Sequence, residues 1–495
     1  MHDESRHSRP LATAASLGEA AKDSSRFLDK CVLLTGEEST LSTDNGRACL
    51  IGSLRLLVRI CRHVTVSLPP ELTSLIAECK RVSAHVEYDQ HIQFRSVITD
   101  LTIFDAVLSV GASARADLPW TIINSNGWLA RVSSGNKSLN PDTSQSNPMG
   151  ALAAASLGVS EVFKRIIQLH ETRGRFFNGL TFSLYNYKVG TEDPGPPIPE
   201  ELSGGALING SGAIGNGIVY LISELKIKGE IDVVDFQLFQ PENLGTCILI
   251  GPSDEGEPKA TVAEAYLTAH GITARGHVED FNSFRDRLGT THRYPRVVLN
   301  GLDNIETRHR VQDLWPDYII DGAIGIFESQ ISVHPWGKDV ACLRCQFIKE
   351  VAGEAAEEIA SRATGLTIAR VLQAEEFLTE YDAKSAPSEK QAWLHERVGR
   401  KICSIVPEAV ARELSTENLR AGFRPSVPFV ACLSASMVVG EFVKYQMGVS
   451  TSLEPRYQLD VLWGPERGLE IAQERRRECM CVTRAHNIDL FRRNR

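Results

Sequence analysis

The sequence predicts an α/β protein built from two copies of one large unit, with a helical insertion in the second copy. Three observations predict it. Short apolar runs that read as buried strands alternate with helical runs, the pattern of a largely parallel sheet with crossover helices. Residues 148–164 (PMGALAAASLGVSEVFK) and 428–444 (PFVACLSASMVVGEFVK) register without a gap, sharing Ala151/Ala431, Ala155/Ala435, Ser156/Ser436, Val159/Val439, Glu161/Glu441 and Lys164/Lys444. An apolar strand precedes each of these helices, at 122–127 and 319–324, so the repeat reads as an old duplication. Paired, the two units make a pseudo-dimer within one chain.

At 495 residues the chain has room for about three domains of ordinary size. Its residues are 42% hydrophobic and 23% charged, the composition of a soluble globular protein. A net charge of -9 argues against a nucleic-acid partner, whose phosphates it would repel. No run approaches the roughly 20 apolar residues of a membrane span, and the polar N-terminus lacks the apolar core of a secretion signal. The 11 cysteines, an odd count in a large chain, point to a reducing cytoplasm in which thiols pack, bind metal or react.

Residues 1–28 read as a polar, flexible tail. The first unit, 29–190, should begin with the strand CVLLTG, followed by a helix over 47–63, a strand at 63–68 and a helix from 71. Further strands are expected near 85–88 and 104–110. The turn after the first strand is Glu37-Glu38-Ser-Thr, without a glycine fingerprint and with two carboxylates where phosphates would lie. This unit looks like a nucleotide-binding sheet that cannot bind nucleotide. The proline-rich run 191–205 reads as a stiff linker.

The second unit, 206–345 and 424–495, opens on the most informative stretch. A buried strand leads into Gly210-Ser-Gly212-Ala-Ile-Gly215, a helix follows, and the next strand ends at Asp235. Glycines at this spacing turn the chain sharply, bring main-chain N–H groups to a phosphate and pack helix on strand, while the acid can hold ribose hydroxyls. The competing reading is a tight Rossmann-like turn with no ligand. Lys259, before a helix, can reach phosphate or lie solvated on the surface. Asp303, at the C-terminal end of the strand RVVLNGL, can hold a ligand or cap the helix it opens. Cys342, Cys345, Cys479 and Cys481 form two close pairs suited to a four-thiolate zinc site, or are simply reduced and buried. Between them, 346–423 is a helical insertion whose one cysteine is Cys403. Arg400 and Lys401 precede it and would lower its pKa, but Ile402, Ile405 and Val406 suit a packing role equally. Cys247 and Cys432 read as structural, and residues 457–471 as a final hairpin.

The order of the glycine loop, Asp235, ENL at 242–244, PK at 258–259, LDNIETR at 302–308, IIDGAIG at 319–325 and a CxxC resembles the ubiquitin-activating enzymes and the sulfur-carrier adenylyltransferases. The likeness covers 205–345 well and 424–481 in outline. The first half resembles the inactive adenylation half of ubiquitin-type activators. The resemblance implies that Gly210, Gly212 and Gly215 cradle ATP phosphates, Asp235 binds ribose, and Asn243 and Lys259 contact phosphates. Asp303 would hold Mg2+ or phosphate, with Arg308 bracing its turn. An arginine from the first half's N-terminal region is expected at the reacting phosphate, with Arg26 the candidate and Arg6 and Arg9 alternatives. Where the family carries an Arg-Gln pair this chain has Thr246-Cys247, and Cys403 lacks the usual Pro-x-Cys-Thr setting.

The implied activity is ATP-dependent adenylation of a ubiquitin-like protein, then capture on Cys403 as a thioester and transfer to a conjugating enzyme. A single fused chain also resembles bacterial conjugation systems, some of them antiviral. No ubiquitin-fold domain follows Cys481, so a conjugating enzyme would be recruited by another surface. The chain would act as a monomeric pseudo-dimer or a homo-oligomer. Three alternatives stay open: adenylation without a thioester, an inactive scaffold, and an NAD-dependent oxidoreductase. The last is disfavoured because Lys259 and the 303–308 turn have no part in hydride transfer.

Overall fold

Runs of Val, Ile and Leu bounded by turn residues form two sheets. The computed structural model describes residues 6–494 except 25, 89, 292–293, 303–304, 338, 348–355, 415–425, 450–455 and 473. The first sheet holds β1 (Cys31–Gly36), β2 (His63–Ser67), β3 (His91–Phe94), β4 (Ala106–Val110), β5 (Trp120–Asn126), β6 (Leu129–Ser133) and β7 (Leu180–Ser183), in the order β3-β2-β1-β4-β5-β6-β7. The second holds β8 (Ala206–Asn209), β9 (Ile231–Val234), β10 (Ala274–His277), β11 (Val297–Asn300), β12 (Tyr318–Ile324), β13 (Glu328–Pro335), β14 (Arg456–Asp460) and β15 (Leu469–Ile471). Its order, β10-β9-β8-β11-β12-β13-β14-β15, repeats the first and adds one strand. In both, five parallel strands continue into antiparallel ones. The parallel strands β4, β8 and β11 are buried along their whole length, which is why they read as unbroken apolar runs.

The halves join through the repeated helices Pro148–Ile166 and Pro428–Gln446. Phe163 meets Phe429 with ring centroids 5.5 Å apart, and one hydrophobic cluster runs through both halves. Each helix buries a Glu–Lys pair three residues apart, Glu161–Lys164 and Glu441–Lys444. Lys164 also donates to the Arg175 carbonyl (2.8 Å) and Lys444 to that of Tyr185 (2.9 Å). Tyr187 of the first half donates to Glu441 of the second at 2.8 Å. Pro428–Gln446 is long and apolar enough to cross a membrane, longer than the sequence reading allowed, but it is buried inside the fold.

Two expectations are corrected. Residues 85–88 are not a strand: the helix Thr73–Val86 runs on, because Leu75, Cys79, Val82 and Val86 keep its buried face, and the strand is β3. That edge strand is half exposed, so its alternation is weak in the sequence. The N-terminal stretch is not a plain tail. Ser8–Ala15 is helical with Pro10, Thr13 and Ala14 buried, and Pro10 packs beside Gly245 of the second half. The insertion is helical as expected, with Ala356–Thr364, Ile368–Val371, Glu380–Ser385, Ser388–His395 and Ile402–Leu414 around their own small core.

Candidate active site

The glycine loop sits between β8 and the helix Ala213–Ser223, at the C-terminal end of the second sheet. Gly210 has φ +85°, which a side chain rarely adopts. A Cβ on Gly215 would lie 1.9 Å from the Gly210 carbonyl oxygen, so the turn itself requires that glycine. Gly212, the residue before the helix, differs: a Cβ there would meet nothing within 4 Å. Its glycine leaves open space at a helix N-terminus, where N–H groups and the helix dipole favour an anion.

Asp235 follows β9 and is bonded into this loop. Its Oδ2 accepts from the Ser211 N–H at 2.7 Å and its Oδ1 from the Gln237 N–H at 2.8 Å. Lys259 is buried as the first residue of the helix Lys259–Ala269, and its Nζ donates to Gln237 Oε1 at 2.8 Å. Gln237 thus links the two charged groups. Asn243 lies in the short turn Pro241–Gly245, where its Oδ1 accepts from the Gln240 N–H at 2.9 Å. Asp303 lies outside the described residues. Arg308 is buried and its Nε donates to both carboxylate oxygens of Asp321, at 3.0 and 3.1 Å. The partner the sequence reading missed is therefore Asp321, at the end of a ladder in which Asn209 donates to Asn300 (2.7 Å) and Asn300 to Asp321. These three polar side chains cross the neighbouring strands β8, β11 and β12. Asn209 and Asn300 end apolar strands and Asp321 interrupts a third, and this was their trace in the sequence.

The first half carries an acid at the matching place. Glu37 follows β1 as Gly210 follows β8, and its carboxylate accepts from the N–H groups of Ala112 (3.1 Å) and Ser113 (2.8 Å). The Glu37 side chain thus occupies the end of that sheet.

Arg26 lies at the opposite end of β1 from Glu37. It is exposed, and its N–H donates to the Asp23 carbonyl at 3.1 Å. The N-terminal residues that approach the second site are the alternatives. The Arg6 carbonyl lies against Gly245, while its Nε pairs with Glu255 at 3.0 Å. Thr246 and Cys247, standing in the family's Arg-Gln place, are both buried. Burial pushes the Cys247 thiol up, and the charges of Lys259 and Arg9 pull against that.

Cys403 opens the helix Ile402–Leu414 and is partly exposed. Its thiol is pushed up, by burial first and then by Glu375, against the pull of Lys401. This corrects the expected depression: Lys401 pairs with Glu375 at 2.9 Å and Arg400 with Glu408 at 3.0 Å, so both cations are already neutralised. The charge of Glu242, in the turn that carries Asn243, also reaches Cys403.

The sulfurs of Cys342, Cys345, Cys479 and Cys481 all lie within 4.8 Å of one another. Separations are 3.7 Å for Cys342–Cys345, 3.7 Å for Cys342–Cys479 and 3.5 Å for Cys345–Cys481. A tetrahedral ion with bonds of about 2.3 Å spaces its sulfurs about 3.8 Å apart, whereas a disulfide holds them at about 2.05 Å. All four are buried, and the Arg476 N–H donates to Cys345 at 3.3 Å. The set fits a structural zinc ion that ties the chain's last segment to the second half.

Residues 202–481 match the family model described as the ThiF family, and residues 32–183 match the BilD N-terminal domain. The chain is 28% identical over 368 residues to the uncharacterized protein y4jF of Sinorhizobium fredii, covering 70% of this chain and 69% of that one. It is 29% identical over 163 residues to the sulfur carrier protein adenylyltransferase of Thermus thermophilus, covering 31% of this chain and 60% of that protein. Among solved structures, E. coli MccB with MccA-N7isoASN is similar at 16% identity and a TM-score of 0.36, over 56% of this chain and 67% of the other. With more than half its length, including the glycine loop and the four cysteines, matched by the one model, the chain belongs to the ThiF family.

Proposed function

We propose that the chain uses ATP to adenylate the C-terminal carboxylate of a small ubiquitin-like or sulfur-carrier-type protein. One observation carries this: an open glycine loop on a helix N-terminus, with Asp235 bonded into it and Lys259 buried beside it through Gln237. Asp235 would hold the ribose hydroxyls, and the loop N–H groups with Lys259 the phosphates. A carboxylate oxygen of the carrier attacks the α-phosphorus, the bond to the bridging oxygen breaks, and pyrophosphate leaves with the electron pair. Both reactants are anionic, so fixed cations and N–H groups lower the barrier by absorbing charge. Arg6 and Arg9, brought to the second half by the helix Ser8–Ala15, are better placed than Arg26 to supply the missing arginine. Any magnesium at Asp303 would add charge neutralisation there. Family membership and the likeness to the Thermus adenylyltransferase support the reading.

The finer step is transfer to Cys403. Its thiolate attacks the acyl carbon, the thiol proton having gone to water, and AMP leaves. In favour is its partial exposure within electrostatic reach of Glu242. A second reading, in which the chain stops at the adenylate, is favoured by the raised thiol pKa. ATP–pyrophosphate exchange dependent on a small ubiquitin-like or sulfur-carrier-type protein tests the first step, and no exchange by the wild type with either class rejects it. A reductant-sensitive adduct that disappears in Cys403→Ala while exchange persists supports the thioester. An adduct that survives the substitution rejects Cys403.

A further inference from the structure

Arg59, just past the helix Asp44–Leu57, is fully buried. Its two terminal guanidinium nitrogens donate to main-chain carbonyls of the other half: Leu244 at 2.8 Å, Ile250 at 2.6 Å and Ile248 at 3.4 Å. A buried guanidinium without a carboxylate is costly, but an apolar side chain in the same space would leave these carbonyls without their donor. Burial draws its pKa down to about 10, so it remains a cation at neutral pH.

In sequence the three carbonyls bracket Thr246 and Cys247, and Leu244 directly follows Asn243. The Asn243 carbonyl itself accepts from the N–H groups of Thr246 (3.0 Å) and Cys247 (2.8 Å). Two neighbours of Arg59 hold the same backbone: Arg55 donates to the Ile248 carbonyl at 3.4 Å, and His85 Nε2 lies 2.9 Å from the Leu249 carbonyl. The Leu249 N–H in turn donates to Asn216, on the helix that the glycine loop opens, at 2.7 Å. A continuous set of bonds therefore runs from the half with the closed site to the loop of the half with the open one.

We propose that Arg59 is a positioning residue: from the half that binds no nucleotide, it fixes the 244–250 backbone and so holds Asn243 against the nucleotide in the other half. This rests on the adenylation reading. Exposed lysines or a bare packing surface would join the halves, but they would not order this segment.

The test uses the full chain with Arg59→Met, Arg59→Lys, Asn243→Ala and the Arg59→Met/Asn243→Ala pair. Three quantities are read: amide hydrogen exchange over 244–251, ATP affinity, and the rate of ATP–pyrophosphate exchange with a ubiquitin-like or sulfur-carrier-type protein. We expect Arg59→Met to lose protection first over 244–251, where the carbonyls lose their donor, and to lose about 10²-fold in exchange rate, as small misplacements do. Arg59→Lys should fall between. In the Asn243→Ala background Arg59→Met should cost almost nothing more, since one acts through the other. Additive losses, or an unchanged rate, would overturn the proposal. If Arg59→Met does not fold, Arg59→Lys carries the same comparison. A wild type that binds ATP but shows no exchange refutes carrier adenylation alone, and then protection and ATP affinity unchanged in Arg59→Met refute Arg59 separately.

Discussion

At Gly212 a methyl group would meet open space, whereas at Gly215 it would collide with the Gly210 carbonyl. The two positions therefore separate a ligand site from a mere tight turn. Gly212→Ala should keep the wild-type melting temperature, because its backbone is not in the left-handed region and nothing crowds it. It should nonetheless lose ATP affinity by tenfold or more, about 1.4 kcal/mol, by filling the place of a phosphate; calorimetric titration measures it. Gly215→Ala should lower stability as well as affinity. If Gly212→Ala binds ATP normally, the loop is only a turn. Residue types read this way well when their role is local. Cys403 did not, because Arg400 and Lys401 are its neighbours in sequence but pair with Glu408 and Glu375 instead. Arg59 gave no sign, since an arginine after an apolar helix looks like a solvated one until a second half covers it.

Among elements, those with buried faces were legible and those at edges were not. The repeated helix, the glycine turn and β1 carry dense periodic or apolar patterns. β3 does not, and its place was misread by several residues. The helix Ser8–Ala15 was missed because its packing surface lies on a segment more than two hundred residues away. The two cysteine pairs were legible because their close spacing is the one a metal site requires, although their meeting depends on the last segment folding back. That segment should need its metal. Mass spectrometry of the intact chain should find one zinc ion, and chelation or Cys345→Ser should make residues 474–494 protease-sensitive before the rest of the chain. A chain with no zinc and an equally resistant end would show that four reduced thiols suffice.

At the scale of the molecule, the shared core predicts that the halves unfold together. One hydrophobic cluster spans them, and Tyr187, Glu441 and Lys444 form a buried bridge from one to the other. Calorimetry should therefore show a single transition, and two resolved transitions would contradict a common core. Lys444→Met should cost about 3–5 kcal/mol in urea unfolding, because it strands the Glu441 charge in the interior. An effect under about 1 kcal/mol would mean that the pair contributes little to the shared core. The duplication was legible from two matched segments. How the copies cooperate was not, since that depends on side chains meeting across their interface.

On the proposed reading of the first half as a nucleotide-binding unit that has lost its site, the Glu37 carboxylate, seated on the N–H groups of Ala112 and Ser113, would make that loss hard to reverse. Restoring glycines to that turn would leave a tethered competitor whose local concentration no dissolved nucleotide can match. A lineage that returned to two working sites would have to remove that acid in the same step. Until then each intermediate gains nothing, and the asymmetry between the copies is self-preserving.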